Sequence, residues 1–307
     1  MDQKGYTFLF VITIFSLSIP GCGGKAAPVL MPASTAAPTD TPESTSTATL
    51  IPSPTPLPGS LVLPVDTLDK NIPWLPAQES GAPGTYYFWF NSLYPPFNNV
   101  LVRQAFAAAI DREAIVEIGH KYNVKNPRPA TTFTPPEILG RDLYNEVGIP
   151  YDPAHARELF EQAGYTEGSK FPPVTVYINV AGQQAPGFHV KVIEEMISMW
   201  KEALGVEVDY KILQWGPFLE RLASDPPAIF RLGWAADYND PDNFLREIFR
   251  YGSQSNYGNF QNDVFDNLVE RAQKSHDPAE RQTLYIQAER ILCEEEAAVI
   301  PIYHSTY

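Results

Sequence analysis

Residues 190–212 read VKVIEEMISMWKEALGVEVDYKI. Val192, Ile193, Met196, Ile197, Trp200, Ala203 and Leu204 fall at helical spacing and form one apolar stripe, so Val190 to Leu204 is predicted to be an amphipathic helix. Gly205 stands where a left-handed C-terminal cap belongs. The period then changes to two. Val206, Val208, Tyr210 and Ile212 alternate with Glu207, Asp209 and Lys211, which is the pattern of a half-buried strand. A second strand, Val174 to Val180, precedes the helix. Strands alternating with helices argue for an α/β layered domain.

The same alternation continues outward. Thr85 to Phe90 (TYYFWF) is aromatic and β-prone. Val102 to Ile118 has helical spacing, with Arg103, Asp111, Arg112, Glu113 and Glu117 expected on its solvated side. Asp152-Pro153 opens another helix and Gly164 closes it. A short helix is expected over Trp215 to Leu222, and a strand over Ala228 to Trp234. Asp263 to Lys274 is helical. Asp277-Pro278-Ala279-Glu280 reads as a capping box that starts a helix running to about Glu295. Val299 to Tyr303 is the last strand. In such sheets ligands meet the loops at the carboxyl ends of strands.

The N-terminal part reads differently. Tyr6 to Ile19 is an uncharged run of fourteen residues behind Lys4. It is short for a membrane span and suits a signal-peptide core. It ends in Ile19-Pro20-Gly21-Cys22, which resembles a bacterial lipobox, with Pro20 as the departure. Residues 1–22 are therefore expected to be a lipoprotein signal, with Cys22 as the lipidated residue and an anchor to the membrane. Residues 23–60 are dominated by Pro, Ser, Thr and Ala and cannot bury enough apolar surface to offset ordering entropy. They read as a disordered tether, followed by an irregular lead-in over 61–84 and a folded lobe over 85–307.

Charge and motif content narrow the function classes. The 307-residue chain carries 36 acidic and 22 basic residues, a net −14 at pH 7, so nucleic acid is an unsuitable partner. His-Glu-x-x-His, Walker, G-x-S-x-G and G-x-G-x-x-G patterns are absent from the sequence. The five histidines, His120, His155, His189, His276 and His304, lack ligand spacing and read as surface or capping residues. Cys293 reads as a small buried apolar residue. Glu294 to Glu296 reads as a solvated helix end. No enzyme, metal or cofactor is expected.

The segment Asp237-Tyr238-Asn239-Asp240-Pro241-Asp242-Asn243 is dense in oxygen ligands, but its proline and missing glycine fail the calcium-loop template. Asp240, Asp242 and Asn243 read as a turn, with Asp240 or Asp242 capping a helix through Arg250. Asp237 stands apart. It follows a strand end beside aromatics, where a sheet presents ligand contacts, and a carboxylate there suits an ammonium group.

Several colinear segments resemble bacterial solute-binding protein family 5. They are Tyr86 to Asn91, Pro95 to Ala105, Ala109 to Ile115, Tyr151-Asp152-Pro153 with Ala163-Gly164-Tyr165, Trp200 to Val206, Gly233 to Tyr238, and Pro241 to Phe244. The resemblance implies a periplasmic-binding-protein-like type II lobe, a mixed sheet flanked by helices, that captures oligopeptides, dipeptides or similar small solutes for ABC permease subunits. It implies an extracytoplasmic location. It also implies that Asp237 pairs with a peptide's α-ammonium, and that the backbone of Trp234, Ala235 and Ala236 meets the peptide main chain. Trp234 and Tyr238 are expected as core or cleft wall. The family's first lobe is expected to be largely missing, its place supplied by a separate chain or the sequence being a fragment. A membrane-anchored interaction or sensor module without solute binding is the alternative reading, and a secreted hydrolase using Asp237 and Asp240 is a third.

Overall fold

The computed structural model describes residues 81–166, 171–179 and 187–306. Cys22, the 23–60 tether and the lead-in up to residue 80 lie outside the described residues. Strands β1 (Pro83–Phe90), β2 (Arg128–Pro129), β3 (Val174–Asn179), β4 (Val208–Leu213), β5 (Ile229–Ala235) and β6 (Val299–Thr306) form one sheet in the order β2-β6-β1-β5-β3-β4. β3 runs parallel to β4 and β5, whereas β1 runs antiparallel to β5 and β6, and β2 antiparallel to β6. The sheet is therefore mixed. The described α-helices are α1 (Val100–Ala108), α2 (Arg112–Lys121), α3 (Pro136–Leu139), α4 (Pro153–Gln162), α5 (Phe188–Leu204), α6 (Trp215–Ser224), α7 (Arg246–Phe249), α8 (Asp263–Lys274) and α9 (Pro278–Arg290).

Strand β1 is aromatic without a break from Tyr86 to Phe90, and both of its faces are covered there. Tyr86, Phe88 and Phe90 enter one core with Phe106, Met196 and Trp200. Tyr87 and Trp89 enter the other with Phe133, Phe249 and Leu284. Burying each of these rings contributes roughly 1.5–3 kcal/mol, so this strand ties the two layers together. The apolar stripe of α5 packs into the first core, with Val192, Ile193, Met196 and Trp200 fully buried. Gly205 ends that helix in the left-handed conformation, φ 68°, its N–H donating to the Lys201 carbonyl.

The structure departs from the sequence reading at identifiable places. The helix expected over 102–118 is two helices, α1 and α2, because Asp111 caps the second by accepting from the Ala114 N–H. Arg103 and Arg112 are buried rather than solvated. Arg103 donates to the Phe97 and Glu296 carbonyls and pairs with the Glu296 carboxylate, and Arg112 donates to the Pro301 carbonyl. Arg112 staples α2 to β6, and Arg103 staples α1 to the segment just before β6. The strand after α5 starts at Val208, two residues late. β1 starts at Pro83, inside the expected lead-in, and β6 runs on to Thr306. Asp277 does cap α9, but Glu280 accepts from the Ser275 hydroxyl instead of closing a box. That helix ends at Arg290 in a π-turn over Ile291–Glu295, closed by the Glu296 N–H on the Ile291 carbonyl. Glu294 and Glu296 are engaged by Arg290 and Arg103, leaving Glu295 as the solvated acid of the three. His189 and His304 are buried, contrary to the expected surface placement, while His120, His155 and His276 are exposed. Cys293 is buried as expected.

Gly148, between α3 and α4, sits at φ +87°, and a β-carbon there would lie 2.0 Å from the Thr131 carbonyl oxygen. Gly148→Ala is therefore expected to cost about 3 kcal/mol or more, combining left-handed strain with a backbone clash. A urea midpoint unchanged from the wild type would show that the loop yields without cost.

Candidate functional site

β5 carries the sequence Ile229-Phe230-Arg231-Leu232-Gly233-Trp234-Ala235 and delivers the chain to Asp237 at its carboxyl end. β3 and β4 end on the same side of the sheet, since they run parallel to it. On its β1 side the strand is paired throughout, from Phe90↔Ile229 to Gly84↔Ala235, and the Ala236 N–H continues the edge by donating to the Pro83 carbonyl. On its β3 side it is paired only at Ile229 and Phe230. Beyond Phe230 that edge has no strand neighbour among the described residues. The backbone of Trp234 and Ala235 thus offers a partly open edge, whereas the N–H of Ala236 is already engaged.

After β5 the chain turns through Asp237–Asp240 into a one-turn 3-10 helix, Pro241–Asn243. Asp240 caps it, accepting from the Asp242 N–H at 2.9 Å, with Pro241 at the first position. The turn reading for these residues holds, but the helix beyond is only α7, Arg246–Phe249, and Asp242 does not cap it. Asp242 instead accepts from the Arg246 guanidinium at 2.7 and 2.9 Å, from the Tyr238 hydroxyl at 2.9 Å and from Tyr285 at 3.4 Å. Asp240 pairs with Arg281 of α9 at 2.6 Å. The bond to Asp242 raises the Arg246 pKa, and burial together with Asp242 raises those of Tyr238 and Tyr285.

These pairings leave one acid of the segment without a counter-charge. Asp237 is exposed and has no ion-pair partner among the described residues. Its side chain and those of Tyr238 and Asn239 open into a cleft of about 460 Å³, bounded by Pro83, Arg128, Glu137 and Thr306. Arg128 pairs with Glu137 on that cleft wall, so the cation lining the cleft is held by its own acid. Trp234 is half-buried, packs against the second core and donates its indole N–H to the Asn243 amide oxygen at 3.1 Å. It serves as core and does not line the cleft. Tyr238 is 45% exposed and forms wall.

Two residues of this region were not singled out as ligand contacts by the sequence reading. Asn243, read as a turn residue, binds both Trp234 and Asp237. Arg231, on β5 itself, is buried, with its guanidinium 4.4 Å from the Tyr86 ring centroid and Nη1 donating to Asn179 Oδ1 at 3.3 Å. Its Nε and the Asn179 amide nitrogen have no hydrogen-bond partner among the described residues. An arginine inside a strand is the sequence signal that points to it, because such a charge is seldom buried without a purpose. Among the described residues no group of three His, Cys, Asp or Glu side chains could hold a metal ion, and no helix is long and apolar enough to cross a membrane.

A mixed sheet flanked by helices, with an unneutralised carboxylate at the carboxyl ends of its strands, defines a lobe of the periplasmic-binding-protein kind. Residues 56–256 match the family described as bacterial extracellular solute-binding proteins, family 5 Middle, and the chain belongs to that family. It is 31% identical over 224 residues to the periplasmic oligopeptide-binding protein OppA of Escherichia coli, covering 72% of this chain and 39% of the relative. It is also 31% identical over 255 residues to a probable deoxycholate-binding periplasmic protein, YgiS, of the same organism, covering 77% of this chain and 45% of the relative. Among solved structures, the unliganded open form of the periplasmic murein tripeptide-binding protein MppA superposes with a TM-score of 0.64 at 28% identity, covering 74% of this chain and 43% of that one. A dipeptide-binding protein from Pseudoalteromonas sp. SM9913, in complex with Met-Leu, gives 0.62 at 27%, covering 74% and 45%. The chain thus spans less than half the length of these relatives. Members of the family are solute-binding proteins rather than enzymes.

Proposed function

We propose that this chain is an extracytoplasmic solute-binding component of an ABC importer, without catalytic activity, that captures peptides or similar small solutes through a positively charged end. The observation that carries this reading is the state of Asp237. Its neighbours Asp240 and Asp242 are neutralised by Arg281 and Arg246, while Asp237 faces a cleft whose one lining cation, Arg128, is paired with Glu137. A fixed, unpaired carboxylate is complementary to an α-ammonium group, and a solute that excludes water there makes the pair strong and selective. The open edge of β5 beside it suits main-chain recognition of an extended peptide, which tolerates many side chains. Lipidation at Cys22 would hold the protein at the membrane for delivery to permease subunits, and the remainder of the cleft would come from residues outside this lobe.

Tri-alanine and N-acetyl-tri-alanine, which lacks the ammonium charge, test the reading by thermal unfolding. Tri-alanine at a hundred times its Kd stabilises the folded state by about 2.7 kcal/mol and raises Tm, and the acetylated peptide at the same concentration, bound about thirtyfold more weakly, gives only about 0.9 kcal/mol and a correspondingly smaller shift. No shift from either peptide would favour the alternative of a membrane-anchored surface module without solute binding, and equal shifts from both would reject recognition of the charged end.

A further inference from the structure

We propose that Asn243 is a positioning residue for solute capture, one whose side-chain amide locks the Asp237 carboxylate and the Trp234 ring into a single unit. The inference rests on the reading of Asp237 above and adds to it the residue that sets its geometry. Asn243 is 2% exposed and touches no solvent-facing cleft itself. Its Oδ1 accepts from the Asp237 backbone N–H at 3.0 Å and from the Trp234 indole N–H at 3.1 Å. Two N–H donors converge on one atom, and only the amide oxygen can accept both, which fixes the orientation of the amide. The nitrogen of the amide then faces the Asp237 carboxylate, with Nδ2 3.4 Å from Oδ2.

This arrangement has a directional consequence. One oxygen of Asp237 is turned toward the protein, and Oδ1 remains for a cation from the cleft. The amide is itself held firmly. The Asn243 N–H donates to the Asp240 carbonyl at 3.1 Å, and Asp240 is clamped by Arg281. A solute ammonium therefore meets a carboxylate whose rotamer is already set, and less ordering cost is left for binding to meet. Exposed aspartates without such a partner sample several rotamers.

A double-mutant cycle on the full chain, read by calorimetry with tri-alanine, tests the role. Asn243→Ala is expected to weaken binding about tenfold, and to cause no further loss in an Asp237→Ala background, because it acts through that carboxylate. In the free protein the Trp234 indole and Asp237 amide proton resonances are expected to move upfield in Asn243→Ala, which removes the acceptor they share. Asn243→Ser, too short to reach both donors, replaces the alanine variant in the cycle if the latter does not fold. Losses that simply add, unchanged affinity in Asn243→Ala while Asp237→Ala binds weakly, or unmoved resonances would each overturn the positioning role and leave the Asp237 reading standing. Wild-type affinity in Asp237→Ala, with the resonances shifted as expected, would instead reject the reading and the positioning role with it.

Discussion

Asp237→Ala is expected to weaken tri-alanine binding at least thirtyfold with little change in stability. The loss corresponds to about 2 kcal/mol, the low end of what truncating one member of a desolvated charge pair costs. An ion pair left in open water contributes at most about 1 kcal/mol, or roughly fivefold, so the size of the effect reports whether the solute excludes water from the cleft. Stability is spared because Asp237 is exposed and ion-pairs with nothing among the described residues. The neighbouring acids behave differently. Asp240 and Asp242 hold Arg281 and Arg246, so their removal strands a cation and disturbs the loop before it touches binding. Calorimetry for affinity and urea midpoints for stability separate the two outcomes. A loss of stability in Asp237→Ala as large as the loss of affinity would show that the carboxylate holds the loop rather than the solute.

The second large effect is on stability and comes from His304. This residue lies on β6, in register with Thr85 of β1 on one side and Arg128 of β2 on the other. It is 3% exposed. Thr85 directs its hydroxyl proton to the Phe133 carbonyl at 2.6 Å, so its oxygen accepts from His304 Nδ1 at 3.0 Å. That contact fixes the neutral tautomer with hydrogen on Nδ1. Burial, and secondarily the Arg128 charge, push the imidazole down from 6.5 to about 3. In the unfolded chain the ring protonates as pH falls through 6.5, whereas in the folded chain it stays neutral until about 3. The unfolded state thus binds more protons across that window, and stability falls with acidification. Between pH 6.5 and 4.5 the expected loss is roughly 2 kcal/mol. Glu289 works in the opposite sense. Burial raises its carboxyl despite N–H bonds from Phe133 and Thr134, so the folded state holds its proton more readily. Urea midpoints at the two pH values are expected to show a smaller acid loss in His304→Gln than in the wild type, and equal slopes would refute the assignment.

The elements that were readable from sequence are those set by local pattern. The stripe of α5, its glycine cap and the unbroken aromatic run of β1 depend on spacing within one segment, and each forms where the pattern puts it. The features that were not readable depend on partners far along the chain. Arg103 and Arg112 are polar residues on a helix until Glu296 and Pro301, nearly two hundred residues later, receive their donors. His304 is an isolated histidine until β1 closes over it. At the candidate site, Asp237 stood out by its place after a strand, but nothing local said that it alone would lack a counter-charge. That property was decided by Arg281 on α9 and Arg246 on α7 taking the other two acids. Asn243 was hidden for the same reason, because a turn residue and a buried bracket share one sequence signature.

The ammonium–carboxylate pair itself is tested by crossing Asp237→Asn with N-acetylation of tri-alanine in one calorimetric cycle. If Asp237 holds the solute's ammonium, acetylation costs about thirtyfold in the wild type and almost nothing in Asp237→Asn, since the charge it removes then has no partner. The same acetylation penalty in both proteins would place the ammonium elsewhere and contradict the role given to Asp237.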